Sequence, residues 1–542
     1  MPEHLLSLIV LLSPVFFAAT ALASWFQPGL QPKLVKKLSI FSALLSILTA
    51  AISGFFVYTY GLLESTLIGI DGVGLSIRLD TVSVLMFTMI ALLGFIIMRF
   101  SQNYLDGDPK QGAFLGRMAA TLASVQLLVL SGNLGLLFLS WVLTSVSLHR
   151  VLLFYPERRG AVIAARKKFI LARLGDVCLL GASIVLFQEF GTGNLEAIFQ
   201  QIQSSVSASV ALPAIELTAL LLVLAALLKS AQFPTHGWLV EVMETPTPVS
   251  ALLHAGLLNA GPFLIIRMAF VMDASVYAPL VLITIGGFTA LFASVVFMTQ
   301  TSVKTALGYS SVAHMGFSLM VCGLGVYPAA MLHLVAHSFY KAHAFLSSGS
   351  VIDVIRASKV IKATRLGSPF RIVLGIFLAL GVYIGFSLML GFNLTADLSL
   401  LAVGAIIIMG LSRIFTSAID SNGSVKLFFT ACLLSILVAT AFFTLEGGTH
   451  HMLSSQLPLP TYPSLAKIIL TGVLLSFFGI VVLLQIMAPA ISSKPAYRAW
   501  AVHIRNGLYL NAIFDRLVGA FNLSTNQVEP TRFDGDQTLR TR

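Results

Sequence analysis

A chain of 542 residues is long enough for several soluble domains, but 57% of its residues are hydrophobic and only 10% charged, with a mean hydropathy of +0.92. That balance excludes a soluble fold of this size, whose surface needs far more charge, and describes a polytopic membrane protein. The net charge of +11 does not point to nucleic acid, because lysines and arginines fall in short loops between apolar runs, where they set membrane orientation.

At ~20 apolar residues per crossing, an all-α membrane protein is predicted with helices near 4–26, 38–60, 80–100, 113–130, 132–155, 166–188, 213–233, 247–270, 277–298, 303–325, 328–351, 371–391, 397–417, 424–445 and 465–489, about fifteen in all. The first lacks the basic leader segment of a signal peptide and reads as a retained helix. With the N-terminus outside, the inner loops carry Lys33, Lys36 and Lys37, then Lys110 and Arg117, then Arg158, Arg159, Arg166, Lys167 and Lys168, then Arg356, Lys359, Lys362 and Arg365. The outer loops carry Glu64, Asp71, Glu189, Glu196, Asp273, Asp397 and Glu446, with Arg78 as the main exception. The expectation is therefore N-terminus outside and C-terminus cytoplasmic.

Leu67 to Arg78 has the alternation and glycines of a small extracytoplasmic hairpin. Cys178, Cys322 and Cys432 lie singly in apolar runs and form neither a disulfide framework nor a CxxC metal site. After Met487 the pattern changes. Trp500 to Val518 places apolar residues at helical spacing beside a polar face, as in an interfacial or partner-docking helix, and beyond Thr525 the polar end reads as disordered or held by another chain.

The stretch Lys229 to His254 sets a lysine, two histidines, two glutamates and three prolines between two apolar runs. In lipid, a prolyl interruption frees backbone carbonyls, and an ionisable side chain costs at least ~2.5 kcal/mol at the bilayer centre. Both costs at one place suggest an ion pathway. Away from helix ends, the intramembrane titratable residues are Asp176, Lys229, His254, His314, His333, His337 and Lys341. A lysine near a helix end usually snorkels, and a lone histidine is often a satisfied core residue. His333, His337 and Lys341, however, recur every four residues and share one helical stripe. Histidine titrates near neutral pH and suits a proton relay. The rival for His-x3-His is a metal site, but the zincin pattern needs glutamate where Leu334 stands, so neither metal nor cofactor is expected in this chain. Asp176 is the candidate counter-charge for Lys229.

Four blocks carry a family resemblance: Arg173-Leu-Gly-Asp176-Val; Lys229 to Arg267 around Pro246-Thr-Pro-Val-Ser-Ala-Leu-Leu-His254-Ala; Gln300-Thr-Ser-Val-Lys304-Thr-Ala-Leu-Gly-Tyr-Ser-Ser; and His337-Ser-Phe-Tyr-Lys341-Ala-His-Ala-Phe-Leu-Ser-Ser-Gly-Ser. In order, over roughly residues 67 to 351, they resemble the proton-translocating antiporter-like family, which includes the distal membrane subunit of respiratory complex I and the large subunit of multisubunit sodium/proton antiporters. The resemblance implies two inverted five-helix repeats with interrupted helices, at 113–270 and 277–417. Helices at 1–100 with the hairpin would precede them, and helices at 424–489 and a cytoplasmic amphipathic tail at 490–542 would follow. It also implies proton-path roles for Asp176, Lys229, His254, Lys304, His333, His337 and Lys341.

Departures from the family are equally informative. Complex I-type subunits place a glutamate after the tryptophan of the fifth span, whereas this chain reads Leu139-Ser-Trp141-Val142-Leu143-Thr144. The region matching their second interrupted helix, Arg371 to Asn393, has no proline and no charged side chain after its first residue. The segment Thr235-His236-Gly-Trp238 through Glu244-Thr-Pro-Thr-Pro to Asn259 is most similar to the membrane subunit of two-component DAB inorganic-carbon systems. That branch implies a bacterial inner-membrane subunit conducting protons or Na⁺. It also implies a cytoplasmic partner resembling β-carbonic anhydrase, whose zinc site hydrates carbon dioxide to bicarbonate. His236, Glu241 and Glu244 would stand at the cytoplasmic exit, with solvated loop charge the other reading of the two carboxylates. The alternatives are a cation/proton antiporter subunit and a complex I-like pump component. No phosphate-binding loop, nucleotide fingerprint, haem motif or nucleophile triad suggests chemistry in this chain.

Overall fold

The computed structural model describes residues 3–349, 368–389, 398–419, 425–458, 463–491 and 494–517. The loop with Arg356, Lys359, Lys362 and Arg365, the outer-loop Asp397 and the tail beyond Leu517 lie outside them. Helices α1 (His4–Phe26) and α2 (Lys33–Tyr60) lead into four short strands, β1 (Leu63–Glu64), β2 (Ile68–Ile70), β3 (Val73–Leu75) and β4 (Arg78–Leu79). These pair antiparallel, β1 with β4 and β2 with β3, and so form the predicted hairpin. Then come α3 (Thr81–Tyr104), α4 (Gln111–Val129), α5 (Leu134–Leu152), α6 (Arg159–Phe190), the amphipathic α7 (Leu195–Ser207) and α8 (Ile215–Lys229). A short α9 (Gly237–Glu241) precedes α10 (Thr247–Arg267), α11 (Ala278–Phe297), α12 (Val303–Gly323) and α13 (Tyr327–Leu346). Further on are α14 (Pro369–Met389), α15 (Leu398–Ile419), α16 (Val425–Leu453) and α17 (Leu465–Ile491), then α18 (Pro495–Arg505) and α19 (Leu510–Leu517).

Among the described residues, twelve helices are long and apolar enough to cross a membrane. Helices α8, α12 and α13 stand at the remaining predicted positions. The first is cut short at Lys229, and the other two carry the serines, glycines and histidines of the central polar array. Helix α10 is the hub, buried along nearly all its length, whereas α17 lies at the periphery and is largely unburied. Helix α14 runs unbroken from Pro369 to Met389, with no internal proline to interrupt it.

Helix starts at the hairpin end are set by short polar side chains. Asp80 accepts from the Ser83 amide, Asn133 from Leu136 and Asn194 from Ala197, each satisfying a backbone donor that the helix leaves free. Gly72 permits the tight turn of the hairpin at φ +79°, and a Cβ there would lie 2.3 Å from Thr192 Oγ1. The hairpin is thereby seated against the start of α7, with the Gly193 amide donating to the Asp71 carbonyl.

Arg78, the exception to the loop-charge pattern, is not a free loop charge. Its guanidinium donates to Asp80 at 2.8 Å, Glu196 at 2.7 Å and Glu64 at 3.3 Å. Asp80, 1% exposed, is also held by Arg267 at the end of α10, whose guanidinium reaches Ser83 Oγ at 2.6 Å. Burial alone would push the Asp80 carboxyl up, but the Arg267 and Arg78 guanidiniums outweigh it and hold the group well below the usual carboxylate range. Removing one partner from such a buried cluster costs ~3–5 kcal/mol, because the other charges stay behind unpaired. Asp80→Asn should therefore lower the melting temperature of the detergent-solubilised protein by several degrees in scanning fluorimetry; an unchanged melting curve would show that the cluster does not hold the hairpin end together.

Candidate functional site

Helix α8 ends at Lys229 because Pro234 lacks an amide hydrogen and its ring clashes with a continuing helix. Residues 230–236 form a turn closed by the Thr235 amide on the Gln232 carbonyl, and the chain resumes as α9 and a 3-10 turn at Val242–Glu244. Helix α10 is itself broken by a 3-10 turn at Leu257–Asn259. The two breaks are stitched together, with Ser230 Oγ donating to the Leu258 carbonyl at 2.9 Å. Asn259 Nδ2 then donates to Ser338 Oγ on α13 at 2.7 Å, which ties the breaks to the helix that carries the histidine stripe.

The Lys229 ammonium faces α5. It donates to the Trp141 carbonyl at 3.1 Å, Thr144 Oγ1 at 3.2 Å and Ser145 Oγ at 2.6 Å, and lies 4.2 Å from the centroid of the Trp141 ring. Where complex I-type subunits place a glutamate after this tryptophan, two hydroxyls, a carbonyl and a π face meet the lysine. Asp176, buried on α6, is not in ion-pair contact with Lys229. It pairs with Arg173 at 2.6 Å one turn back, and acts on Lys229 across a longer gap.

On the other side of α10 the predicted stripe comes together. His333 Nε2 lies 3.3 Å from His314 Nδ1, and the His314 ring centroid is 4.9 Å from that of His337. Lys341 is buried and donates to the Leu307 carbonyl on α12 at 3.1 Å. His254 stacks on Phe345, one turn beyond Lys341, with centroids 4.3 Å apart. Both ring nitrogens of His254 and of His337 are buried without a hydrogen-bond partner among the described residues. Buried polar atoms in that state are ordinarily satisfied by water. A cavity of about 450 Å³ opens onto His314 and His333 between α11, α12, α15 and α17, with the Arg413–Gln485 hydrogen bond on its wall. Lys304 stands apart in the first turn of α12, one turn before the carbonyl that receives Lys341, with no partner of its own among the described residues.

The three exit candidates separate. His236 is buried among the rings of Phe233, Phe292 and Tyr309. Glu244 is exposed, with its backbone carbonyl held by Arg158. Glu241 receives the buried Lys167 ammonium on both carboxylate oxygens, at 2.7 and 2.6 Å, and the side-chain amide of Asn511. Asp515 completes this cluster from α19. Helix α18 is held on its other side by Arg505, which donates to Thr301, and by Gln300, which donates to the Arg505 carbonyl. Lys167, Lys168, Ser145, Asn511 and Asp515 were not legible as site residues. The only sequence signal for the two lysines was their place in a basic run, which reads as a loop.

A family profile described as "NADH:quinone oxidoreductase/Mrp antiporter, TM" matches residues 131–419, and one described as "NADH-Ubiquinone oxidoreductase (complex I), chain 5 N-terminus" matches residues 70–115. The first spans more than half the chain, which therefore belongs to the NADH:quinone oxidoreductase/Mrp antiporter family. Over 303 residues the chain is 42% identical to the "Probable inorganic carbon transporter subunit DabB" of Hydrogenovibrio crunogenus, covering 54% of this chain and 58% of that one. Over 288 residues it is 42% identical to the "Probable inorganic carbon transporter subunit DabB2" of Halothiobacillus neapolitanus, covering 53% and 52%. The chain thus spans about half the length of these relatives. The fold is similar to a chain of the Mrp complex from Dietzia sp. DQ12-45-1b, with a TM-score of 0.63 at 21% identity over 95% of this chain and 59% of that one.

The carboxylate–lysine–amide cluster holds α19 against α9, where Asn511 packs so closely that a Cβ at Gly237 would fall 1.7 Å from its Oδ1. Asp515→Asn and Gly237→Ala should each speed tryptic cleavage after Arg516 in the folded protein. Cleavage at the wild-type rate in both variants would mean that the segment is held elsewhere.

Proposed function

We propose that this chain is the ion-conducting membrane subunit of an inorganic carbon accumulation complex, passing protons and doing no bond chemistry of its own. The observation that carries this reading is the setting of Lys229: a lysine at a helix break, met by a carbonyl and two hydroxyls in place of a carboxylate. A carboxylate in contact would hold the ammonium charged. A hydroxyl accepts from an ammonium and donates to an amine equally well, so a proton can be loaded and released without stranding a charge. The likeness to two probable inorganic carbon transporter subunits, at 42% identity, supports the carbon half of the reading.

In this reading two inverted five-helix repeats place the two halves of the path on either side of α10. Protons enter from outside near His333 and His337 and reach Lys341 or Lys304. They cross by way of His254 to Lys229 and Asp176, and leave on the side of His236, Glu241 and Glu244. Water bridging the unpartnered nitrogens of His254 and His337 supplies the missing links. The N-terminus lies outside and the C-terminus in the bacterial cytoplasm. There a zinc-containing partner resembling β-carbonic anhydrase hydrates carbon dioxide, driven by the proton-motive force.

The test is to co-express the chain with its zinc partner in a bacterial strain that needs high carbon dioxide. The complex should restore uptake of inorganic carbon, and a protonophore should abolish it. Lys229→Ala and Asp176→Ala should each abolish uptake while the complex still purifies intact. Normal uptake in either variant removes that residue from the path, a sodium requirement without protonophore sensitivity favours an antiporter subunit, and an assembled wild-type complex that accumulates no carbon overturns the carbon reading.

A further inference from the structure

We propose that Lys168 is a second proton-exchanging lysine of this site, coupled to Lys229 through Ser145. The inference rests on the reading of the chain as a proton conductor, but not on what the proton flow drives. Lys168 lies on α6 two turns before Asp176, at the i, i+4, i+8 spacing that puts both on one face. It is 5% exposed, and its Nζ donates to the Ser145 carbonyl at 2.7 Å. The hydroxyl of the same serine receives Lys229 Nζ at 2.6 Å. One residue of α5 therefore receives a lysine from α6 and a lysine from α8.

The charge balance of this pocket is uneven. The titratable and charged groups facing Lys168 are Lys229 of α8, Arg173 and Asp176 of its own helix, and His149 of α5. Asp176 is the sole carboxylate of the set and is already paired with Arg173. Two ammonium groups that share one serine in an apolar bundle repel each other with no carboxylate to spare, so the stable state of the pair is one ammonium and one neutral amine. Exchange between them breaks an N–H bond of the Lys229 ammonium and forms one on the lone pair of the Lys168 amine. The pair keeps a single positive charge throughout. The Ser145 hydroxyl, able to accept from the ammonium and to donate in turn, stands at the crossing. Lys168 also precedes Lys229 towards the end of the bundle where its neighbour Lys167 meets Glu241, so the exchange carries the proton off α8 in the direction of the exit.

The rival role is structural: Lys168 as a strap holding α6 to α5. The two roles part at Lys168→Arg, which keeps the cation and the hydrogen-bond donor but does not release its proton. The intact complex is reconstituted into liposomes, and proton flux under an imposed potential is followed with an entrapped pH dye. Lys168→Arg and Lys168→Met should both lower the flux about 10-fold or more. Lys168→His should keep part of it, with a pH profile moved to lower pH because imidazole releases its proton at about pH 6.5. Wild-type flux and pH profile in Lys168→Arg, alongside loss of flux in Lys229→Ala, overturn this inference alone. A wild-type complex that passes no protons overturns the conductor reading with it. Recovery of partner and melting temperature for Lys168→Arg guard against misfolding.

Discussion

A charge kept inside an apolar bundle must be met by another charge or by oriented polar groups, and this protein uses each solution in a different place. At the hairpin end, Asp80 is gripped by two guanidiniums, one from the preceding strand β4 and one from the end of α10. Every charge there has an ionic partner and the geometry is closed, which suits a joint between hairpin and bundle. At Lys229 the partners are hydroxyls, a carbonyl and an indole face. Those groups tolerate either protonation state. Helix α10 runs from one kind of site to the other, with its break beside the second and its last residue locked into the first, so the adjustable centre is referenced to a rigid one.

The two breaks share this logic. A carbonyl released by an interrupted helix in lipid needs a donor, and the Leu258 carbonyl finds one in Ser230 at the neighbouring interruption. Neither break can open without disturbing the other. The link from Asn259 to Ser338 extends this dependence to α13, so the lysine side and the histidine side are joined by packed polar contacts as well as by any proton path.

Much of this arrangement was legible in the sequence. Apolar run lengths located the helices, glycines and alternation located the hairpin, and Pro234 and the four-residue spacing of His333, His337 and Lys341 marked the two halves of the array. What escaped was where charged side chains find partners. The run Arg158 to Lys168 reads as an inner loop, yet α6 begins at Arg159 and continues through all of it. The helix outlasts its apolar run because Lys167 and Lys168 are met by Glu241 and by the Ser145 carbonyl, and both partners belong to other helices. The same limit applies to Asp176, whose contact is with Arg173 on its own helix, a local pairing at i, i+3 visible in the block Arg173-Leu-Gly-Asp176 but outweighed there by the search for a counter-charge to Lys229. Asn511 and Asp515 lie some 270 residues beyond Glu241, and no local pattern points from one to the other.

The seat of α19 on α9 has a mechanical consequence. Asn511 fills the space left by the missing side chain of Gly237, and Asp515 shares Lys167 with Glu241, so α19 is coupled in series with the short segment that follows the Lys229 break. Because α18 is also fastened at Gln300 and Thr301, just ahead of α12, the pair of helices forms a crossbar between the lysine half and the histidine half of the bundle. A displacement of α18 and α19 is thus delivered to both halves at once.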